Sequence, residues 1–163
     1  MDLSKEQDRK EFLKHVEVIK PRKVDLTKPM AIIYNPTSGK RRDIRPIIKQ
    51  RLDAASIPFE ILESKKAFDT FAIPHEFDID KYSVLVAVGG DGSFHEVVNG
   101  MLQRKDGKRI PVGFLPNGSA NDTNISFGVT NIDQALDFLV KRESIRIDAV
   151  SYTHLAGDSQ MTL

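Results

Sequence analysis

The chain has 163 residues, of which 40% are hydrophobic and 29% charged, and this suits one globular domain with its own core. Lysine and arginine number 24 against 23 acidic residues, so the net charge of +1 gives no electrostatic reason to expect nucleic acid as a partner. Cysteine is absent, which excludes disulfides, zinc–thiolate sites and a catalytic thiol. Since there is no secretory signal and no apolar run of about 18 residues, we expect a cytoplasmic domain that does not cross a membrane.

The first 29 residues are a charged leader. Phe12, Val16 and Ile19 recur at helical spacing, and Pro21 and Pro29 close the segment. We expect residues 1–29 to contain a short helix packed on the surface.

From Met30 onward, short apolar runs alternate with helical stretches. The runs predict four strands, at Met30–Tyr34, Pro58–Leu62, Ser83–Val88 and Pro111–Leu115. Helices are predicted at about 43–55, 65–73, 93–104 and 131–142. This alternation predicts an α/β domain over residues 30–143, with a doubly wound, mostly parallel sheet and flanking helices.

In such a sheet, ligands bind outside the carboxyl ends of the strands, and the loop Gly89–Ser93 after the third run carries the strongest signal. Its glycines allow a bulky anion to approach the backbone, and the helix that follows favours phosphate at its N-terminus. Asp91 is placed to accept a proton from an attacking hydroxyl or to help hold a magnesium ion. Taken alone, Ser93 and Glu96 also have the spacing of a capping box, which would only start the helix.

Two further loops have similar compositions. Asn35–Lys40 offers hydroxyls, a glycine and a cation, although Arg41 after the lysine and the lack of an upstream glycine exclude a P-loop. Pro116–Asp122 offers small residues and amides, although Asn117-Gly118 is also a plain turn signal and Asn121 or Asp122 could cap the next helix. Three such loops at one sheet edge predict a ligand that carries phosphate.

The three segments, in this order, resemble the diacylglycerol kinase catalytic-domain family, which includes diacylglycerol, sphingosine and ceramide kinases. The family carries Asn-Pro-x-(Ser)-Gly, Gly-Gly-Asp-Gly-Thr and Pro-x-Gly-Thr-x-Asn-Asp, and these correspond to Asn35–Gly39, Gly89–Ser93 and Pro116–Asp122. The resemblance covers about residues 30–150. Ser93 and Ser119 replace threonine and keep the hydroxyl.

The resemblance implies a lipid kinase that uses ATP and Mg²⁺ to phosphorylate a lipid hydroxyl, on diacylglycerol or a sphingoid base, with peripheral membrane contact. Asp91 matches the general base of sphingosine kinases, whereas bacterial diacylglycerol kinases take that carboxylate from a second domain. The nucleotide-binding positions that the resemblance implies are Asn35, Ser38, Gly39, Ser64, Gly89, Gly90, Gly92, Ser93, Glu96, Gly118, Ser119, Asn121 and Asp122.

Family members continue into a β-sandwich domain that supplies much of the lipid site. We therefore expect residues 144–163 to be the truncated start of that second domain and the chain to be the nucleotide-binding half. Two alternatives stay open at this point. One is an NAD kinase-like enzyme, which shares the Gly-Gly-Asp-Gly loop, and the other is a catalytically inactive nucleotide-binding or interaction fragment.

Overall fold

The computed structural model describes residues 21–37 and 42–147. Residues 23–144 form one compact unit, and residues 1–22 with 145–163 form another, most of which lies outside the described residues. The predicted leader helix with Phe12, Val16 and Ile19 lies outside them as well. The division into leader, α/β domain and second domain therefore stays a prediction.

A parallel sheet of four strands forms the centre of the first unit. In chain order the strands are β1 (Arg22–Lys23), β2 (Met30–Tyr34), β3 (Phe59–Glu63), β4 (Val84–Gly89), β5 (Val112–Pro116) and β6 (Glu143–Ser144). The sheet order is β3-β2-β4-β5 with every pair parallel, while β1 and β6 make a separate two-stranded ribbon. The predicted α/β class and all four predicted strands are confirmed, with strand bounds shifted by no more than one residue.

Helices connect these strands. They are α1 (Arg45–Ala54), α2 (Asp69–Glu76), α3 (Asp91–Leu102), α4 (Asp122–Ser126) and α5 (Ile132–Lys141), with a 3₁₀ turn at Ile79–Lys81. The four predicted helices are present, but α2 begins four residues later than predicted, because the segment after β3 forms a turn. The short helix α4 was not predicted, since its five residues lie in a segment rich in turn-forming Asn, Asp and Ser. None of the helices described here combines the length and the apolar character needed to cross a bilayer.

Both faces of the sheet are covered, which explains why the central strands β2 and β4 are apolar throughout and buried at every position. Successive strand residues point to opposite faces, so Ile32 packs with Ile48 of α1 and Leu136 of α5. On the other face, Ile33 packs with Val97 of α3. The resulting layers place the carboxyl ends of four strands along one exposed edge.

Helices α2 and α3 pack closely because Gly100 has no side chain. A Cβ at Gly100 would lie 2.2 Å from the carbonyl oxygen of Phe71 and 2.9 Å from Cγ of Pro74. Arg104, whose side chain is 7% exposed, donates to the carbonyl oxygens of Pro74 (2.8 Å) and Phe77 (2.9 Å) at the end of α2. These bonds satisfy carbonyls that have no partner within the helix and hold α2 against α3.

We expect Gly100→Ala to lower the free energy of unfolding by about 2 kcal/mol, because the added methyl group forces α2 and α3 apart. Gly92→Ala is the matched control on the same helix, since a Cβ there meets nothing within 4 Å. It should leave stability unchanged or raise it by up to about 1 kcal/mol through helix propensity. Urea denaturation of both variants checks this, and equal effects would contradict the packing role of Gly100.

Candidate functional site

Four loops meet at the carboxyl edge of the sheet, and backbone bonds beyond the strand ends hold them in register. Ser64 N donates to the carbonyl oxygen of Tyr34 (2.9 Å), which ties the loop after β3 to the end of β2. Asn117 N donates to the carbonyl oxygen of Gly89 (2.7 Å), which ties the loop after β5 to the end of β4. The predicted motif segments are therefore neighbours in space.

The loops after β4 and β5 touch at two glycines. A Cβ on Gly118 would lie 2.3 Å from Cα of Gly90, so no other residue fits at position 118 without moving the backbone. Asn121 closes its loop, since its Oδ1 accepts from Gly118 N and its Nδ2 donates to the carbonyl oxygen of Gly118, both at 3.0 Å. Asn121 adopts a left-handed conformation (φ 58°), which asparagine tolerates better than most residues.

The alternative in which Asn121 simply caps the next helix is wrong. Asn121 occupies the N-cap position of α4, but its side chain makes no capping bond there. The cap is supplied from another loop by Asp91, whose carboxylate accepts from Asp122 N (2.9 Å) and Thr123 N (3.0 Å). Asp91 thus joins the loop after β4 to α4.

The electrostatic state of Asp91 follows from these bonds. The backbone N–H of Thr123 is the largest cause that lowers the pKa of Asp91, and that of Asp122 adds to it. Hydrogen bonds to a carboxylate favour its charged form. Asp91 is therefore an anion at neutral pH and a weaker base than an ordinary aspartate.

The capping-box alternative for Ser93 and Glu96 is also wrong. Helix α3 begins at Asp91 with Gly90 as its N-cap, two residues before the predicted start, and no side chain caps it. Ser93 lies within the first turn, where its Oγ accepts from Nδ2 of Asn35 (3.4 Å). The Glu96 carboxylate instead accepts a hydrogen bond from the Thr70 hydroxyl of α2.

Gly92 has no structural reason to be glycine within the described part of the chain. It is not among the glycines with positive φ, and a Cβ built on it would meet no atom within 4 Å. The first turn of α3 thus presents bare backbone to open space at the sheet edge. Its positive dipole end can attract an anion that approaches closer than a side chain would allow.

Next to this turn, on the β2–β3 side, is a cavity of about 600 Å³. Among the residues that line it are Asn35, Ser64 and Glu96, which were predicted as site residues. The lining also contains residues that were not predicted as site residues, namely Pro36, Thr37, Glu63, Lys65, Lys66, Ala67, Phe68 and Thr70. The doublet of lysines directly after Ser64 is the sequence signal that could have found part of this group.

The predicted positions therefore form two connected groups. Asn35, Ser64 and Glu96 belong to the cavity, and the Asn35–Ser93 hydrogen bond links it to α3. The second group is the glycine-rich cradle, defined by Gly89, Gly90, Asp91, Gly92, Ser93, Gly118, Ser119, Asn121 and Asp122. Ser119 is exposed in the loop of the cradle that Asn121 closes. Ser38 and Gly39 lie outside the described residues.

The described residues contain no cluster of three or more His, Cys, Asp or Glu side chains that could hold a metal ion by themselves. Magnesium is commonly held by one or two carboxylates together with substrate phosphates. Asp91, an ionised carboxylate beside an anion-attracting helix start, fits this mode of binding.

Asp91→Asn should lower the free energy of unfolding by about 1 kcal/mol at pH 7, because α4 loses a negative charge at its N-terminus and one of the two oxygens that accept from its backbone. The folded pKa lies below the ordinary value of 3.8, so this stabilisation is complete above the unfolded pKa and is lost as pH falls through the folded pKa. The gap between the parent and Asp91→Asn should therefore close below about pH 4 in urea titrations at several pH values. Asp122→Asn, which keeps the N–H that Asp91 binds, is the control, and a gap that stays constant with pH would contradict the cap.

Comparison with known proteins identifies the family to which this chain belongs. The profile of the diacylglycerol kinase catalytic domain matches residues 29–152. Sphingosine kinase 1 of Arabidopsis thaliana is 37% identical over 100 residues, which cover 58% of this chain and 21% of the relative. A diacylglycerol kinase of Staphylococcus aureus (strain MRSA252) is 32% identical over 145 residues, which cover 84% of this chain and 45% of the relative.

A solved structure agrees with these relatives. A diacylglycerol kinase from Bacillus anthracis str. Sterne superposes with a TM-score of 0.56 at 28% identity, covering 70% of this chain and 42% of that one. The chain thus spans less than half the length of the relatives described here. With the profile matched over most of its length and the same fold in a solved kinase, this chain belongs to the diacylglycerol kinase catalytic-domain family.

Proposed function

We propose that residues 30–143 bind ATP at the carboxyl edge of the sheet, with the phosphates over the first turn of α3, for phosphoryl transfer to a lipid hydroxyl. The observation that carries the proposal is the bare backbone at Gly92, for which neither φ nor packing in the described residues accounts. A glycine whose added Cβ would meet no atom, in the first turn of a helix that has no side-chain cap, is accounted for by a ligand that approaches it closely.

The cradle suits phosphate for two further reasons. Gly118 packs against the backbone of Gly90, so the loops after β4 and β5 meet as a continuous backbone surface. The hydroxyls of Ser93 and Ser119 offer hydrogen bonds at its margins. Ser38 and Gly39, by the family resemblance, would line the phosphate and ribose side.

The nucleoside would occupy the adjacent cavity. Asn35 belongs to both regions, since it lines the cavity and donates to Ser93 in α3. Ser64 and the Thr70–Glu96 pair offer polar groups for the sugar and the base. Lys65 and Lys66 offer cations to a polyanionic ligand, while the lining carboxylates of Glu63 and Glu96 already bind Arg45 and Thr70 respectively.

Asp91 would orient the attacking hydroxyl and would not act as a strong general base. Its lowered pKa leaves it ionised, so its remaining lone pairs can accept a hydrogen bond from the attacking hydroxyl and help hold magnesium. A bound magnesium ion supplies charge neutralisation for the phosphate oxygens. Phosphoryl transfer through a loose transition state demands positioning and electrostatics more than a strong base, so a weakly basic carboxylate is adequate.

A lipid acceptor is supported by the relatives, which are named as diacylglycerol and sphingosine kinases. Ile125 and Phe127, 55% and 50% exposed, lie just after the α4 residues that Asp91 binds and offer apolar surface there. We propose that the whole protein acts as a cytoplasmic enzyme with peripheral membrane contact. We further propose that residues 1–29 are a leader and that residues 144–163 lead into a second domain that completes the lipid site.

Calorimetric titration with ATP and Mg²⁺ tests the nucleotide site. The parent should bind saturably, and Gly92→Ala should bind at least about tenfold more weakly, a loss of about 1.4 kcal/mol, because its methyl group occupies the space of the phosphates. Gln103→Ala, at the other end of α3, is the control and should bind as the parent does. No binding by a folded parent, or equal binding by Gly92→Ala, would contradict the phosphate site.

Transfer is tested separately by supplying γ-labelled ATP with diacylglycerol or sphingosine in mixed micelles, beside NAD in solution. Label in a lipid supports the proposed reaction. Label in NAD would favour the NAD kinase-like alternative. Binding of ATP without transfer to either acceptor would favour a nucleotide-binding fragment whose chemistry needs the rest of the protein.

A further inference from the structure

Phe68 is an aromatic residue in an unfavourable position for its type. It lies between β3 and α2 with 74% of its surface exposed, the largest exposed fraction among the exposed large hydrophobic residues of the described chain. Its backbone is left-handed, with φ 67° and ψ 0°, a conformation that favours glycine. Burial therefore does not explain this phenylalanine, and the backbone conformation opposes it.

The surrounding turn holds Phe68 in that conformation. The Asp69 carboxylate accepts hydrogen bonds from Lys65 N (2.8 Å) and Lys66 N (3.0 Å), and these bonds close the turn that contains Phe68. The carbonyl oxygen of Phe68 accepts from Phe71 N (3.1 Å) and Ala72 N (2.9 Å), so Phe68 is the N-cap residue of α2. A strained residue held by several neighbours is typical of positions that contact ligands.

Phe68 lines the same cavity as Ser64, Lys65 and Lys66. The sheet order places β3 two strands from β4, so the end of the cavity after β3 lies about 10 Å along the edge from the end of β4, where the glycine-rich cradle begins. A nucleotide with its phosphates on the cradle would direct its base toward this end of the cavity. Among the described residues that line the cavity, Phe68 is the aromatic one, and it is largely exposed.

We propose that Phe68 is the stacking platform for the base of the bound nucleotide and sets the preference for a nucleotide over other polyphosphates. This inference rests on the proposed function. A nucleobase fits the site because it has an apolar face for the ring and polar edges for Ser64 and Glu96. An acyl chain offers no polar atom to Ser64 or Glu96 and would bury both beside apolar surface, which is unfavourable.

The strain and the proposed contact make an unusual test possible, because one substitution should move stability and affinity in opposite directions. Phe68→Gly should raise the urea midpoint, since glycine adopts φ 67° without cost. The same variant should bind Mg²⁺–ATP about tenfold more weakly, as expected when base stacking is removed. Phe68→Trp keeps an aromatic face and should retain the affinity of the parent.

Magnesium tripolyphosphate, which has no base, separates this contact from the phosphate site in the same calorimetric experiment. The parent should bind ATP more tightly than tripolyphosphate, and Phe68→Gly should reduce that difference about tenfold while binding tripolyphosphate unchanged. Equal loss for both ligands, or unchanged ATP affinity in Phe68→Gly, would overturn the stacking role and leave the phosphate site intact. A parent that binds neither ligand would overturn the proposed function, and the role of Phe68 with it.

Discussion

The contact between Gly90 and Gly118 is the constraint on which the candidate site depends. It requires two loops, from β4 and β5, to approach with no side chain between them. The approach brings α4 within reach of Asp91, which replaces the side-chain cap that Asn121 does not supply. The contact between the two loops lets Asp91 cap α4, and the same hydrogen bonds keep the Asp91 carboxylate charged. A change at either glycine should therefore disturb the whole cradle.

A second physical feature is the firm attachment of α2 to α3. Gly100 allows the close approach, and Arg104 binds the carbonyl end of α2. This packing orients the opposite end of α2, where Thr70 binds Glu96 and where the turn with Phe68 begins. The cavity wall is therefore built on helices that cannot easily shift, as a preorganised binding site requires.

The agreement between sequence and structure is closest where backbone periodicity controls the outcome. Strands β2 and β4 are continuous apolar runs, and their burial on both faces follows from that pattern alone. The helix start that was predicted least accurately, that of α2, lies where a side-chain hydrogen bond forms a turn. Asp69 delays α2 by closing a turn onto Lys65, and α3 begins at Asp91 with no side-chain cap, two residues before the predicted start.

The sequence alone determined the α/β class, the order of the loops and the family, because strand periodicity and ordered glycine motifs are local properties of the chain. It also brought the motif loops to one edge, since parallel strands end on the same side. Only the tertiary structure decided that Asp91 caps α4, that a Cβ on Gly92 would meet no atom and that Phe68 lines the cavity. These facts depend on which side chains meet across the sheet edge, and contacts between residues distant in sequence leave no periodic signal.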